Sequence, residues 1–351
     1  MSQYYKLSVS KITRETEKAV SISFNVPENL KSEFQFKAGQ YLSLKTTLNN
    51  EELRRDYSIC SSRQSGKLKV TVKEVEGGTF SVYANTILKV GDVLEVAPPN
   101  GRFVFEPDAS QSRTIAAFAA GSGITPIMSI AKTLLEEEPN SKFILIYGNK
   151  TPKETIFFNE ILELHHKYLD RFELHEVFSQ SEKPKALFGR IEKSTVNFIV
   201  KTEYKNIDID AFYLCGPEAM IRTVKHVLED HGIAKDAILY ELFKSPTKGV
   251  SGVNSDVNGE SNITVIVDDE EKSFTMLQTQ TILEATLAKN IEAPHSCKGG
   301  ICSSCIARIT EGKAEMRQNN ILTDSEIAEG LVLACQALPT TDVIKVDFDD
   351  V

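Results

Sequence analysis

Cys297, Cys302, Cys305 and Cys335 follow a C-x4-C-x2-C spacing, with the fourth cysteine 29 intervening residues further on. Three thiolates on one short loop plus a fourth from a distant segment is an arrangement that holds a 2Fe-2S cluster, so the fold has to bring a tight loop against a remote strand. A structural zinc site draws more naturally on two C-x-x-C knuckles, or on paired cysteines and histidines. Here only Cys302 and Cys305 form such a knuckle. Gly299 and Gly300 lie between the first two ligands, where a loop wrapped around inorganic sulfide turns sharply and brings backbone N–H groups to sulfur. Zinc makes no such demand. His295 precedes the loop and invites a Rieske reading, but that centre needs two histidine ligands and four cysteines already complete the set.

The rest of the chain is ordinary globular material. Its 351 residues, 41% apolar and 25% charged, suffice for two or three domains. The N-terminus is polar, no stretch approaches the roughly 20 apolar residues of a membrane-spanning helix, and the cysteine use suits a reducing compartment, so a cytoplasmic protein is expected. A net charge of −9 argues against nucleic acid as a partner. From residue 263 to 351 there are 15 Asp and Glu against 7 Lys and Arg, so nearly all the excess acid lies with the cysteines. That surface suits docking to a basic electron acceptor, and equally suits plain solubility.

Three textures succeed one another. Up to residue 107 short alternating strands appear (Val20, Ile22, Phe24, Val26; Tyr41, Leu42, Leu44; Leu68, Val70, Val72; Val93, Leu94, Val96), which predicts a small antiparallel β-barrel. From 108 to 243 apolar strands alternate with amphipathic helices, which predicts a parallel sheet covered on both faces. Residues 244–262, KSPTKGVSGVNSDVNGESN, read as a flexible linker. Residues 263–351 then form a compact α+β unit.

Chemistry-bearing motifs sit at the joints of these textures. Gly121-Ser122-Gly123-Ile124-Thr125-Pro126 occupies the first strand-to-helix turn of the middle region, where glycines admit a pyrophosphate and the helix start supplies N–H groups. It departs from G-x-G-x-x-G at Pro126, and an early helical proline also has a purely structural explanation. Arg55-Asp56-Tyr57-Ser58 offers a cation, a flat ring and a hydroxyl on a barrel strand, and Gly77-Gly78-Thr79-Phe80-Ser81 follows where a helix can begin at a phosphate. Such residues suit a flavin: the tyrosine packs on the ring system, the arginine neutralises phosphate and the turn donates N–H groups. Each segment also reads as a strand with a solvated arginine, or as a capped helix start. Cys60 reads as quiet core.

Taken together and in this order, R-x-Y-S at Arg55, Tyr57 and Ser58, G-x-x-S at Gly78 and Ser81, G-x-G-I-T-P at Gly121–Pro126 and C-G-P at Cys215, Gly216 and Pro217 resemble the ferredoxin–NADP reductase superfamily. The cysteine spacing resembles a plant-type ferredoxin domain joined to its C-terminus. The resemblance implies an FAD-binding barrel, an NAD(P)H-binding α/β domain and a β-grasp ferredoxin domain. It implies FAD at Arg55, Tyr57, Ser58 and the turn Gly78, Thr79, Phe80 and Ser81. It also implies nicotinamide nucleotide at Gly121, Ser122, Gly123, Thr125, Pro126, Gly216 and Pro217, and Cys215, Glu241 and Phe243 beside the reacting rings. More narrowly, E-E-L-R-R-D-Y-S-I-C, E-G-G-T-F-S-V-Y-A-N, I-Y-G-N and C-Q-A-L-P followed by V-D-F-D resemble the reductase subunits of phenylacetyl-CoA epoxidases. That implies a di-iron oxygenase as electron acceptor in phenylacetate catabolism. Reductases of Rieske oxygenases, fatty-acyl desaturases and hybrid-cluster proteins are built alike, and a chain that only carries electrons on its cluster is the non-enzymatic alternative.

Nucleotide preference is encoded thinly. Gly148-Asn149-Lys150, after the second middle-domain strand, lacks the acidic residue that would bond an unphosphorylated ribose. Ser179 and Arg190 are candidates for a 2′-phosphate contact, so NADPH is expected over NADH.

Overall fold

The computed structural model describes residues 3–243 and 259–351, which form two compact units divided after Phe243. Most of the expected linker lies outside the described residues. Its end does not, and it is ordered: a strand begins at Glu260, with Ser261 already fully buried, because Asn262 N–H donates to Asp342 O and Ser261 Oγ to Thr341 O.

The first unit opens with an antiparallel sheet of β1 (Tyr5–Thr16), β2 (Ala19–Asn25), β3 (Tyr41–Leu48), β4 (Glu51–Ser58), β5 (Leu68–Lys73) and β6 (Val93–Val96), in the order β4-β3-β6-β1-β2-β5. A bridge between Ile59 and Val70 joins the two edges and closes the barrel. Leu7, Val20, Ile22, Leu42, Leu44, Val70 and Val72 fill it, the inward half of alternating strands. Strand β1 escapes the sequence pattern because only Leu7 and Val9 of its twelve residues are buried. One helix, α1 (Thr79–Thr86), follows β5 and lays Phe80 and Ala84 on that core.

The rest of this unit is a parallel sheet in the order β10-β9-β8-β7-β11-β12. Its strands are β7 (Thr114–Ala120), β8 (Lys142–Asn149), β9 (Phe172–Phe178), β10 (Leu187–Phe188), β11 (Ala211–Gly216) and β12 (Ile238–Leu242). The covering helices are α2 (Ile124–Glu137), α3 (Phe158–Lys167), α4 (Lys193–Asn197) and α5 (Glu218–Asp230). Central strands are apolar throughout, as burial on both faces requires. Ala38, Cys60, Phe103 and Phe105 of the barrel region join the sheet's core: Phe103 packs edge-on against Tyr213 at 5.3 Å between ring centres, and Tyr213 Oη donates to Val104 O at 3.1 Å.

The second unit has a mixed sheet, β14-β13-β19-β15-β17, made of β13 (Glu260–Val267), β14 (Glu270–Leu277), β15 (Ile306–Glu311), β17 (Leu331–Leu333) and β19 (Val343–Asp347). A small pair, β16 (Ala314–Met316) and β18 (Ala337–Pro339), stands apart. Helix α6 (Ile282–Ala288) starts on a reciprocal cap between Thr281 and Glu284, and α7 (Asp324–Ala328) on the same device between Thr323 and Glu326. This is the expected α+β, β-grasp arrangement.

Candidate redox site

In the second unit the cysteine loop runs from the end of α6 to β15, and Cys335 follows β17. Ala334 N–H donates to Cys305 O at 2.9 Å, which ties the fourth cysteine's segment to the loop. Cys302, Cys305 and Cys335 are buried and Cys297 is half-buried. Cys305 and Cys335 share a hydrogen bond, which raises the Cys305 thiol and lowers that of Cys335. Cys302 adds its charge to Cys305, and Cys297 to Cys335. Among the described residues no three or more His, Cys, Asp or Glu side chains converge on a single ion.

The loop fits a cluster of iron and sulfide in its backbone. Gly300 has φ +69°, and a Cβ there would press on the Gln336 side chain. Gly299 N–H donates to Cys297 Sγ at 3.3 Å. Gln336 bridges loop and strand, giving Nε2–H to Lys298 O at 3.2 Å and to Cys335 Sγ at 3.6 Å. Sequence reasoning missed Gln336; its one signal was an amide directly after the fourth cysteine. His295 is turned to its own loop, Nδ1 lying 2.8 Å from Ala293 O.

In the first unit the R-x-Y-S strand and the glycine turn come together. Tyr57, on β4, meets Phe80, on α1, at 5.4 Å between ring centres, and burial pushes its phenol up. Ser81 Oγ accepts Val75 N–H at 3.1 Å, closing the turn. A Cβ on Gly78 would run into that Oγ, so the turn needs a glycine there. Thr79 is exposed, and the N-terminus of α1 has no side-chain cap, which leaves its N–H groups open to an anion. Arg55 donates to Arg54 O at 2.7 Å and meets no carboxylate among the described residues. A planar surface, a guanidinium free of any carboxylate and open amides fit a flavin nucleotide.

The nucleotide turn is built by close approach. Gly121 has φ +55°, and its carbonyl accepts from Tyr147 Oη at 3.0 Å. A Cβ on Gly123 would collide with the Cys215 carbonyl, and one on Gly216 with Met220 and Ala120, so the turn lies flat on β11. Thr125 Oγ1 donates to Ser122 O at 3.0 Å, and Pro126 sits in the first turn of α2, where its missing N–H leaves no bond unmade. Again no side chain caps the helix start. Lys73, at the end of barrel strand β5, places Nζ 3.5 Å from where a Gly121 Cβ would stand; a lysine at a strand end carries no signal in sequence. Ser179 and Arg190 follow the paired ends of β9 and β10, where Gly189 N–H donates to Phe178 O at 2.8 Å and Ser179 N–H to Asn149 O at 3.0 Å. Arg190 is exposed.

Between flavin strand and nucleotide sheet, Cys215 pairs with Glu241 across β11 and β12. Ser58 Oγ donates to Glu241 Oε2 at 3.2 Å, joining positions 183 residues apart. Burial pushes the Glu241 carboxyl up to about 8, with Asp56 adding in the same direction against the Ser58 hydrogen bond. Burial, reinforced by Glu241, also raises the fully buried Cys215 thiol. Phe243 is 42% exposed, so it is no core residue. Pro217 is exposed at the start of α5. Cys60 is core, its thiol donating to Lys69 O at 3.3 Å.

Known proteins combine these parts in the same order. Residues 6–105 match an oxidoreductase FAD-binding domain, 118–226 an oxidoreductase NAD-binding domain and 265–340 a 2Fe-2S iron-sulfur cluster binding domain. The chain is 38% identical to a subunit of the 1,2-phenylacetyl-CoA epoxidase of Escherichia coli (strain K12), with 99% of each chain covered. It is 32% identical to the ferredoxin reductase component of 3-ketosteroid-9-alpha-monooxygenase from Rhodococcus rhodochrous, over 97% of this chain and 96% of that one. Phthalate dioxygenase reductase shares the fold, with a TM-score of 0.61 over 98% of both chains at 22% identity. With three cofactor domains matched in sequence and a relative aligned end to end, the chain belongs to the NAD(P)H-dependent oxidoreductases of the ferredoxin–NADP reductase superfamily that carry FAD and a C-terminal 2Fe-2S ferredoxin domain.

Proposed function

We propose that this chain is the reductase component of a phenylacetyl-CoA epoxidase, taking reducing equivalents from NAD(P)H and delivering them one at a time to a di-iron oxygenase partner in the cytoplasm. The end-to-end identity of 38% with the epoxidase subunit carries the choice of partner. When bound, FAD would supply a two-electron hydride acceptor able to release electrons singly, and the 2Fe-2S cluster a one-electron carrier. What the protein supplies is position. Arg55 and the Gly78–Ser81 turn hold the flavin's phosphates, and Tyr57 its ring system. Gly121, Ser122, Gly123, Thr125 and Pro126, with Gly216 and Pro217, receive the nicotinamide nucleotide. Cys215 would stand near the nicotinamide, the hydrogen-bonded Ser58 and Glu241 would hold a proton near the reacting rings, and the exposed Phe243 would be free to pack against the flavin. Cys297, Cys302, Cys305 and Cys335 ligate the cluster.

Ser179 and Arg190 at the sheet's end support NADPH over NADH, since a guanidinium there suits a 2′-phosphate. The test is reconstitution. Purified reductase with phenylacetyl-CoA epoxidase oxygenase subunits should epoxidise phenylacetyl-CoA with NADPH at a higher kcat/KM than with NADH. Coupling only to a Rieske oxygenase would overturn the partner, and a higher kcat/KM with NADH would overturn the nucleotide.

A further inference from the structure

Barrel and nucleotide sheet are joined beneath the redox junction by a small charge cluster that none of the site motifs contains. Lys132, on α2, is only 8% exposed. Its Nζ donates to Glu160 Oε1 at 2.5 Å and to Cys60 O at 3.2 Å. Glu160 belongs to α3, and its other oxygen takes Lys69 Nζ, from barrel strand β5, at 3.5 Å. Beside them Ser129, fully buried on the same helix, donates Oγ to Ser61 O at 2.8 Å. The Phe157 ring lies 5.2 Å from the Lys69 ammonium and 5.9 Å from that of Lys132. Phe157 itself has φ +60°, rare for an aromatic residue and held here by its place in the core.

Two buried groups of α2 therefore grip the carbonyls of Cys60 and Ser61, the residues that continue the flavin strand past Ser58. The same helix begins at the Gly121–Gly123 turn. Burying an ammonium is costly unless it is paired and hydrogen-bonded, and packing alone would serve an ordinary domain seam without it. A buried charge network holds one geometry where apolar contact tolerates sliding, and hydride transfer is sensitive to displacements on the scale of about 1 Å.

We infer that Lys132, with Glu160 and Ser129, is a positioning residue for hydride transfer: it fixes the end of the flavin strand to the helix that carries the nucleotide turn. It touches neither cofactor and acts through the Cys60–Ser61 backbone. The inference rests on the flavin and nucleotide sites proposed above.

Stopped-flow reduction of the full-length holoprotein tests it, with flavin content and cluster absorption checked beforehand. Wild-type protein should show rapid flavin bleaching with a transient long-wavelength charge-transfer band; absence of both in wild type sinks the site assignment itself. Lys132→Met should retain flavin and cluster and keep the nucleotide KM within about twofold. Its limiting rate of flavin bleaching should fall about tenfold, and the charge-transfer band should weaken, because the rings are no longer held in register. Lys132→Arg, which restores a cation and donor, should recover part of the rate. A flavin-replete Lys132→Met with wild-type limiting rate and band overturns the inference while leaving the sites intact. If Lys132→Met loses its flavin, Ser129→Ala removes only the Ser61 bond; a fall of about threefold in the limiting rate supports the clamp, and an unchanged rate overturns it.

Discussion

The cluster site and the flavin–nucleotide junction solve the same problem, holding a redox group, by opposite means. On the proposed ligation the cluster would be held by what its residues are: three thiols on one loop and one in the turn after β17, within a span of 39 residues from Cys297 to Cys335. The junction is held by where its residues are. Ser58 and Glu241 stand far apart in the chain, and its decisive contacts are backbone approaches, such as Gly123 against the Cys215 carbonyl. Covalent ligation tolerates little change of residue type, whereas a shape-built site tolerates little change of position.

The sharpest break between the two regions is Cys302→Ser. Cluster absorption and electron transfer to protein acceptors should vanish, while NAD(P)H-driven ferricyanide reduction through the flavin survives; a normal cluster spectrum in this variant would undo the ligand assignment. Arg55→Ala comes next. Loss of a charge-assisted phosphate contact, about 1.5–3 kcal/mol, weakens flavin binding by about tenfold or more and leaves iron content unchanged, as flavin and iron assays on one preparation would show.

Gly123→Ala probes shape alone. Its Cβ must displace the Cys215 carbonyl, costing about 1–3 kcal/mol of the kind seen on overpacking a core. A lower melting temperature with a raised nucleotide KM is expected. Wild-type values for both would mean the turn has room to move.

The smallest effect is a matter of pH. Burial raises Glu241 to about 8 in the folded chain, above its ordinary value of 4.5, so the folded state binds the extra proton between those limits. Flavin-free protein should therefore lose stability as pH rises from about 5 to 8 and change little from this group above that. In Glu241→Gln the slope should flatten, and an identical melting profile for the two proteins would place the carboxylate in water.

Much of this was legible beforehand. The cysteine spacing of an iron–sulfur domain, the strand–helix rhythm and the glycine turns declare themselves because spacing, periodicity and residue type encode them. Strand β1 did not, since only Leu7 and Val9 of it face the core. Gln336, Lys73 and the Lys132–Glu160 pair were silent as well: a polar side chain gains its meaning from what the fold places opposite it. The strand start at Glu260 was obscured because the buried Ser261 is polar and bonded to backbone, which in sequence reads as loop.

Among the described residues strand β12 pairs only with β11, at the edge of its sheet, and it is the last strand of the first unit in chain order. Yet it brings Glu241 to Ser58, from a strand made near the beginning. A nascent chain that already displays Arg55, Tyr57 and the Gly78 turn is still missing one wall of the junction. The Ser58–Glu241 contact closes only when the last strand of the nucleotide domain is in place. A chain that stops before β12 therefore lacks the carboxyl that faces Ser58.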